Sequence, residues 1–138
     1  MKIKLFFIAL CSVLLFSFDS TQSNEDKKLK NILIGTWSGS ESGNQIQGVT
    51  KYWIQNRNKN GTYILMYTAI VNCEVKNFVE KGKWWVKDGI FYEKYDGGDN
   101  TDSYLVEVFN NDSLKFKAKS LSVDFENKEY EFTETREK

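Results

Sequence analysis

Residues 103–119 read SYLVEVFNNDSLKFKAK, and this stretch decides the fold. Apolar side chains occupy every second position before and after a polar turn at residues 110–113. After the turn, Leu114, Phe116 and Ala118 alternate with three lysines. A period of two places alternate side chains on opposite faces of a β-strand. The stretch therefore predicts two antiparallel strands joined by a short turn, each with one apolar face and one solvent face.

The same period extends outward from this pair over most of the chain. Six further segments show it, at residues 34–40, 50–56, 62–71, 78–86, 90–95 and 123–135. Turn sequences such as Asn60-Gly61 and Lys87-Asp88-Gly89 separate them. About eight strands at short, regular spacing predict an all-β fold, in which a single antiparallel up-and-down meander closes into a small barrel.

A short helix is predicted to precede the first strand. Ser23 is followed three positions later by Asp26, the spacing of a helix N-cap with an acidic third residue. Leu29, Ile32 and Leu33 then fall on one side of the helix.

Residues 1–20 have the layout of a secretory signal peptide. Two lysines precede an apolar run at residues 5–16, and polar residues follow. The run is shorter than the roughly 20 residues of a membrane-spanning helix, so we expect cleavage between residues 17 and 23 and no stable membrane span afterwards. Leu10 stands where a lipidated Cys11 would need a small residue, so a lipid anchor is not expected. The prediction is an exported bacterial protein, periplasmic or secreted, with one domain over residues 21–138.

The composition excludes several classes of function but does not indicate a particular one. Without residues 1–20 the chain keeps 17 basic and 18 acidic residues, a net charge of −1, which gives no electrostatic reason to bind nucleic acid. The chain has no His, which excludes Ser-His-Asp and Cys-His pairs and imidazole metal sites. We therefore predict no catalytic residues, no metal and no cofactor. An enzyme that works through carboxylates such as Glu107 and Glu131 is the weaker alternative.

Four aromatic residues are the candidate ligand-binding residues, because each shares a strand face with other apolar residues. They are Tyr63, Tyr67, Trp84 and Tyr104. The strand at residues 62–71 is apolar on both faces, which predicts either a cover from the N-terminal helix or a face that lines a cavity. The leading hypothesis is a binding protein that holds a small lipophilic ligand inside the barrel.

The alternative is a protein- or glycan-interaction module, of the kind that includes inhibitors, with a packed core and exposed aromatic side chains. Trp84 and Trp85 are neighbours, so their rings point to opposite faces of a strand. One of them is therefore free to form an outer platform with Trp53, Tyr92 and Tyr95. An interior filled by side chains would favour this alternative.

One pattern occurs twice, as Gly35-Thr36-Trp37 and Gly82-Lys83-Trp84. Gly and Trp then share a face, and the glycine leaves room for a large neighbouring group. Gly35, Trp37 and Gly82 are therefore predicted to be structural residues.

These motifs, in their order and spacing, resemble those of small bacterial lipocalin-like domains over about residues 29–136. The matching features are the helical lead-in to the first Gly-x-Trp, Asn60-Gly61-Thr62-Tyr63, Gly82-Lys83-Trp84 before Lys87-Asp88-Gly89, and Arg136. The resemblance implies an eight-stranded barrel, a small apolar ligand, and packing of the Arg136 side chain across the Trp37 ring as a structural cation–π pair.

Overall fold

A computed structural model describes residues 22–123 and 129–138 of the chain, so the predicted signal peptide at residues 1–20 lies outside it. Within these residues no helix is long and apolar enough to cross a membrane. The elements are α1 (Asn24–Leu33), β1 (Gly35–Ser42), β2 (Val49–Arg57), β3 (Thr62–Val71), β4 (Glu74–Lys87), β5 (Ile90–Tyr95), β6 (Asp102–Asn110), β7 (Ser113–Ser120) and β8 (Glu131–Arg136).

The strands form one closed antiparallel barrel in sequence order. Each strand pairs with its neighbours in the chain, and β8 returns to β1 through the pairs Trp37–Arg136 and Ser38–Thr135. The predicted fold class, an up-and-down meander of eight strands with a short N-terminal helix, is confirmed. Closure leaves each strand paired along part of both edges, which is how small barrels avoid the exposed edges of an open sheet.

Two predicted strand boundaries are wrong. The fourth strand begins at Glu74 rather than at residue 78, because its first half continues the ladder with β3 from Val71–Glu74 onward. The last strand begins at Glu131 rather than at residue 123, since the chain bends at residues 122–123.

Helix α1 closes one end of the barrel. Ser23 caps the helix, with its Oγ accepting from the Asp26 N–H at 3.0 Å, as the sequence predicts. The Asp26 carboxylate accepts the backbone N–H groups of Asp88 and Gly89, which ties the helix to the β4–β5 turn. Leu33, at the end of the helix, is fully buried. We call this the closed end, and the opposite end the far end.

The packed core lies next to α1. Its buried apolar residues are Leu33, Trp37, Tyr63, Trp84, Val86, Phe91, Tyr104, Leu114 and Phe116. An eight-stranded barrel has an interior just wide enough for side chains to fill, and large aromatic rings fill this half.

The outer face of β3 has no cover, which corrects one expectation. Ile64 and Met66 point outward, and the Met66 side chain is 52 % exposed. Helix α1 cannot shield them because it packs at the closed end, where it contacts β4.

Candidate functional site

The four candidate ligand-binding residues all lie on inward-facing strand positions, but at two different depths. Tyr63, Trp84 and Tyr104 are at most 5 % exposed and belong to the packed core. The Trp84 indole N–H donates to the backbone carbonyls of Asn58 and Thr62, both at 3.1 Å, so it closes the β2–β3 turn. These three side chains form the floor beneath the far end of the barrel.

Tyr67 lies nearer the far end and is only half-buried. Its ring stacks on Phe78, the residue opposite it on β4, with centroids 4.7 Å apart. Its hydroxyl hydrogen-bonds the carboxyl of Glu80, the next inward-facing residue of β4. Tyr67 therefore combines an accessible aromatic face with a polar group fixed in direction.

A buried polar network, which the sequence did not predict, crosses the interior between β2 and β8. Arg57 donates to both carboxylate oxygens of Glu134, at 2.8 and 3.2 Å, and to the Gln55 side-chain oxygen at 2.6 Å. Gln55 in turn donates to Glu93 at 2.9 Å, and the Trp53 indole N–H donates to Glu134 at 3.1 Å.

The Arg57 guanidinium is also held between aromatic rings. It lies 5.0 Å from the Phe91 ring and 5.1 Å from the Phe116 ring. The side chain is 1 % exposed, yet its Nε has no hydrogen-bond partner among the described residues. Burying an N–H donor without a hydrogen-bond partner costs free energy. A water or ligand atom that accepts from the Arg57 Nε–H would therefore be stabilising.

Two carboxyl groups on the same side of the interior have raised pKa values. Burial raises the pKa of Glu93 to about 7, and Glu134 and Asp102 add to the rise while Arg57 and Gln55 oppose it. Burial also raises the pKa of Glu80, against the hydrogen bond from Tyr67. The interior therefore contains a carboxyl group that titrates near neutral pH, a property often found at binding and catalytic sites.

The pKa values of two tyrosines near these carboxyls are also raised. Burial is the main reason that the pKa of Tyr63 lies far above its ordinary value, and the charge of Glu93 adds to it. The pKa of Tyr104 is raised for the same two reasons. Both phenols keep their protons at physiological pH, so they can donate hydrogen bonds to the carboxyls or to a ligand.

Along β4 and β5, exposure of the inward-facing side chains increases from the closed end to the far end. Trp37 and Phe91 are buried at the closed end, whereas Phe78 is 41 % and Tyr95 47 % exposed. The inner wall is thus accessible on the β4–β5 side of the far end, whereas Glu41 and Tyr130 are buried at that end on the other side of the barrel. That wall presents aromatic rings and carboxyl groups. Among residues 22–123 and 129–138, no group of three or more Cys, Asp and Glu residues could hold a metal ion.

The outside of the barrel carries a groove of about 830 Å³ across β8, β1, β2, β3 and β4, and its lining also includes Tyr67 and Phe78. Ile54, Met66 and Val79 form an apolar row across its floor, because they are direct partners on neighbouring strands. Tyr52 lines the same groove.

The proposed outer aromatic platform is not assembled, which is a second correction. Trp85 and Tyr92 do stack on the outside, with parallel rings and centroids 5.4 Å apart. Trp53, however, bonds to the buried Glu134, and Tyr95 shares the inward face of β5 with Phe91. Period two separates them from the outer pair.

The four residues predicted to be structural lie at two places in the interior. A Cβ atom added at Gly82 would lie 2.6 Å from the Tyr63 ring, and one at Gly35 would lie 2.6 Å from the Arg136 guanidinium. Each glycine thus leaves room for a large group. The Arg136 guanidinium lies 4.2 Å from the centre of the Trp37 ring, in the arrangement that the lipocalin resemblance implies. It also donates to the Ile34 carbonyl at 2.9 Å.

The carboxylates considered for an enzyme lie on the outer surface. Glu131 forms an ion pair with Lys115 at 2.7 Å, and Glu107 is the register partner of the same lysine on the other side. Both carboxylates lie next to Lys115, and pairing with this surface lysine explains their positions.

No family model matches this chain, and no curated protein sequence matches it. The likeness to lipocalin-like domains therefore rests on the closed barrel of eight strands, the N-terminal helix and the Trp37–Arg136 contact.

Proposed function

We propose that the protein is an exported binding protein that holds one small molecule in the far half of its barrel. The observation that carries this proposal is the change in exposure along the interior. The inner wall is packed around Phe91 and Trp37 at the closed end, and becomes accessible around Tyr67, Phe78 and Tyr95. An inner wall with a few placed polar groups among aromatic rings is typical of small-molecule sites.

The side chains of the wall favour an amphipathic ligand over a wholly apolar one. The stacked rings of Tyr67 and Phe78 offer an apolar surface for a ring or chain. A pure hydrocarbon ligand would displace hydrogen-bonding partners of the Glu80 and Glu93 carboxyls and could not replace them. A molecule with an apolar body and a hydrogen-bond donor, best an amine, satisfies both, because aromatic faces and carboxylates attract positive charge.

The test uses N-phenyl-1-naphthylamine as the probe, an apolar fluorescent molecule with a single N–H donor that stays uncharged at neutral pH. Tyr67→Ala removes the stacking ring and the hydroxyl, and we expect it to weaken probe binding several-fold, since one aromatic contact is worth about 1 kcal/mol. The matched control is Tyr52→Ala, the same substitution on the outer face. Equal affinity for the wild type and Tyr67→Ala would contradict binding in the far half of the barrel.

The outer groove supports a second candidate function, recognition of a protein partner. This candidate is supported by the apolar row of Ile54, Met66 and Val79, together with the exposed Tyr52 ring. Exposed apolar patches of this kind often mark interaction sites. Loss of probe binding in Tyr52→Ala alone would place the apolar binding surface in the groove and favour this second candidate.

A further inference from the structure

One edge of β4 has no partner strand along half of its length. Residues 74–81 pair with β3 on one side, but β5 begins to pair with β4 only at Gly82–Tyr95. Within residues 22–123 and 129–138 no strand covers the other side. This free edge is eight residues long and has no register shift. Natural proteins usually interrupt or cover an edge of this kind, because it can pair with another strand.

The direction of the free backbone groups follows from the contact that ends the edge. The Lys81 carbonyl accepts from the Asp96 N–H at 2.9 Å, so it points to the β5 side. In an antiparallel ladder, the N–H and C=O of alternate residues point to the same side. The backbone groups of Val75, Asn77 and Val79 therefore face the free edge, and those of the residues between them face β3.

We propose that a second copy of this chain pairs with the free edge of β4, antiparallel and related by a two-fold axis at Phe78. Only registers that place odd-numbered residues opposite each other align the free groups. In this register Asn77 lies opposite Val79 of the second copy, and the reverse. Each such pair exchanges two backbone hydrogen bonds, which gives four across the axis.

Charge complementarity selects this register from its neighbours. With the axis at Phe78, Lys76 of each copy lies opposite Glu80 of the other, and the two Phe78 rings meet at the axis. With the axis at Asn77, Glu74 would lie opposite Glu80 and Lys76 opposite Phe78. Opposite charges facing each other across an antiparallel pair stabilise it, and like charges destabilise it. Only the axis at Phe78 places Lys76 opposite Glu80, which makes the free edge complementary to itself, as a symmetric dimer requires.

The edge also carries apolar side chains that pairing would cover. Val75 and Val79 are both more than half exposed, and Phe78 is partly exposed. The dimer would continue the sheet from one barrel into the other and bring the two outer grooves side by side at Val79.

Charge reversal provides the test, by sedimentation of the purified full chain over a wide concentration range at mildly alkaline pH. We expect the wild type to dimerise, and Lys76→Glu and Glu80→Lys to be monomeric alone, because each places like charges opposite each other. Mixing the two variants should restore a dimer, since both facing pairs are then opposite in charge. The double variant should dimerise like the wild type.

A fourth variant tests the backbone pairing separately. Val79→Pro removes an N–H that faces the free edge and leaves the ladder with β3 intact, so we expect a folded monomer. Thermal unfolding checks that each variant remains folded. A wild type that is monomeric at every concentration, or single variants that fail to dimerise when mixed, would overturn the proposal. Dimers of unchanged affinity in Lys76→Glu would also overturn it.

This dimer shares Phe78 and Glu80 with the wall of the small-molecule site, so the test uses variants that alter neither residue. Lys76→Glu and Val79→Pro leave Tyr67 and Glu80 unchanged, so binding of the fluorescent amine should persist in both. Loss of the dimer with retained probe binding separates failure of one proposal from failure of the other.

Discussion

The raised pKa of Glu93 makes the stability of the barrel depend on pH. The unfolded chain loses this proton near pH 4.5, and the folded chain near pH 7. Between these values the folded state binds more protons than the unfolded state, so the free energy of unfolding falls as pH rises. Each pH unit in this window is worth about 1.4 kcal/mol, which gives a loss of up to about 3 kcal/mol. Above about pH 7 the loss from Glu93 is complete.

Glu93→Gln removes the titrating group and retains an oxygen that can accept from Gln55. We expect the wild type to lose up to about 3 kcal/mol between about pH 5 and about pH 8, and the variant to lose only the smaller amount due to Glu80. Urea unfolding followed by tryptophan fluorescence measures both. The chain has no His, so no imidazole titrates in this window.

The control is Glu107→Gln, which replaces an exposed carboxyl on the outer surface. It should keep the full pH dependence of the wild type. Equal losses of stability in Glu93→Gln and the wild type, or a wild type that becomes more stable as pH rises through the window, would refute a raised pKa of Glu93 as the cause.

Two further substitutions test the interior. Gly82→Ala should destabilise the protein by about 1–3 kcal/mol in thermal unfolding, because its Cβ would collide with the Lys94 carbonyl oxygen and with the Tyr63 ring; Gly98→Ala, where a Cβ would make an ordinary contact, should be near neutral. Arg57→Leu should cost about 3–5 kcal/mol in urea unfolding by leaving Glu134 buried without its partner, and Arg57→Leu with Glu134→Leu should recover most of that loss. A double variant no more stable than Arg57→Leu would contradict the pairing argument.

The fold was predictable because most strands have one buried and one exposed face. Strands β3 and β5 begin and end at the predicted residues. The start of β4 was missed since residues 74–79 are exposed on both faces, which removes the alternation that marks a strand. The start of β8 was misplaced, because apolar and aromatic residues near residue 123 resemble the strand that follows.

The site was only partly predictable, for a geometric reason. Period two assigns Tyr63, Tyr67 and Tyr104 to the inner face, but not to a depth along the barrel axis. Depth depends on the stagger between strands, which sequence alternation does not encode. The structure therefore places Tyr67 near the far end and the other two in the packed core.

The buried polar network was missed because polar residues on an inner face look like solvent-facing ones. One signal was available: Glu93 and Glu134 each stand two positions from an inward-facing Phe, Phe91 and Phe132. Gln55 and Arg57 likewise continue the face that contains Trp53. A polar residue that stands two positions from inward-facing aromatic residues should therefore be predicted to face inward as well.

The seam between β1 and β8 has a consequence for the order in which the barrel forms. Arg136 donates to the Ile32 and Ile34 carbonyls, more than 100 residues earlier in the chain. Synthesis proceeds from the N-terminus, so β1 remains without its second neighbour until β8 has been made. The barrel therefore cannot close before β8 is available. Long-range closure of this kind folds slowly. Until it is complete, β1 and β7 both present strand edges to other nascent chains.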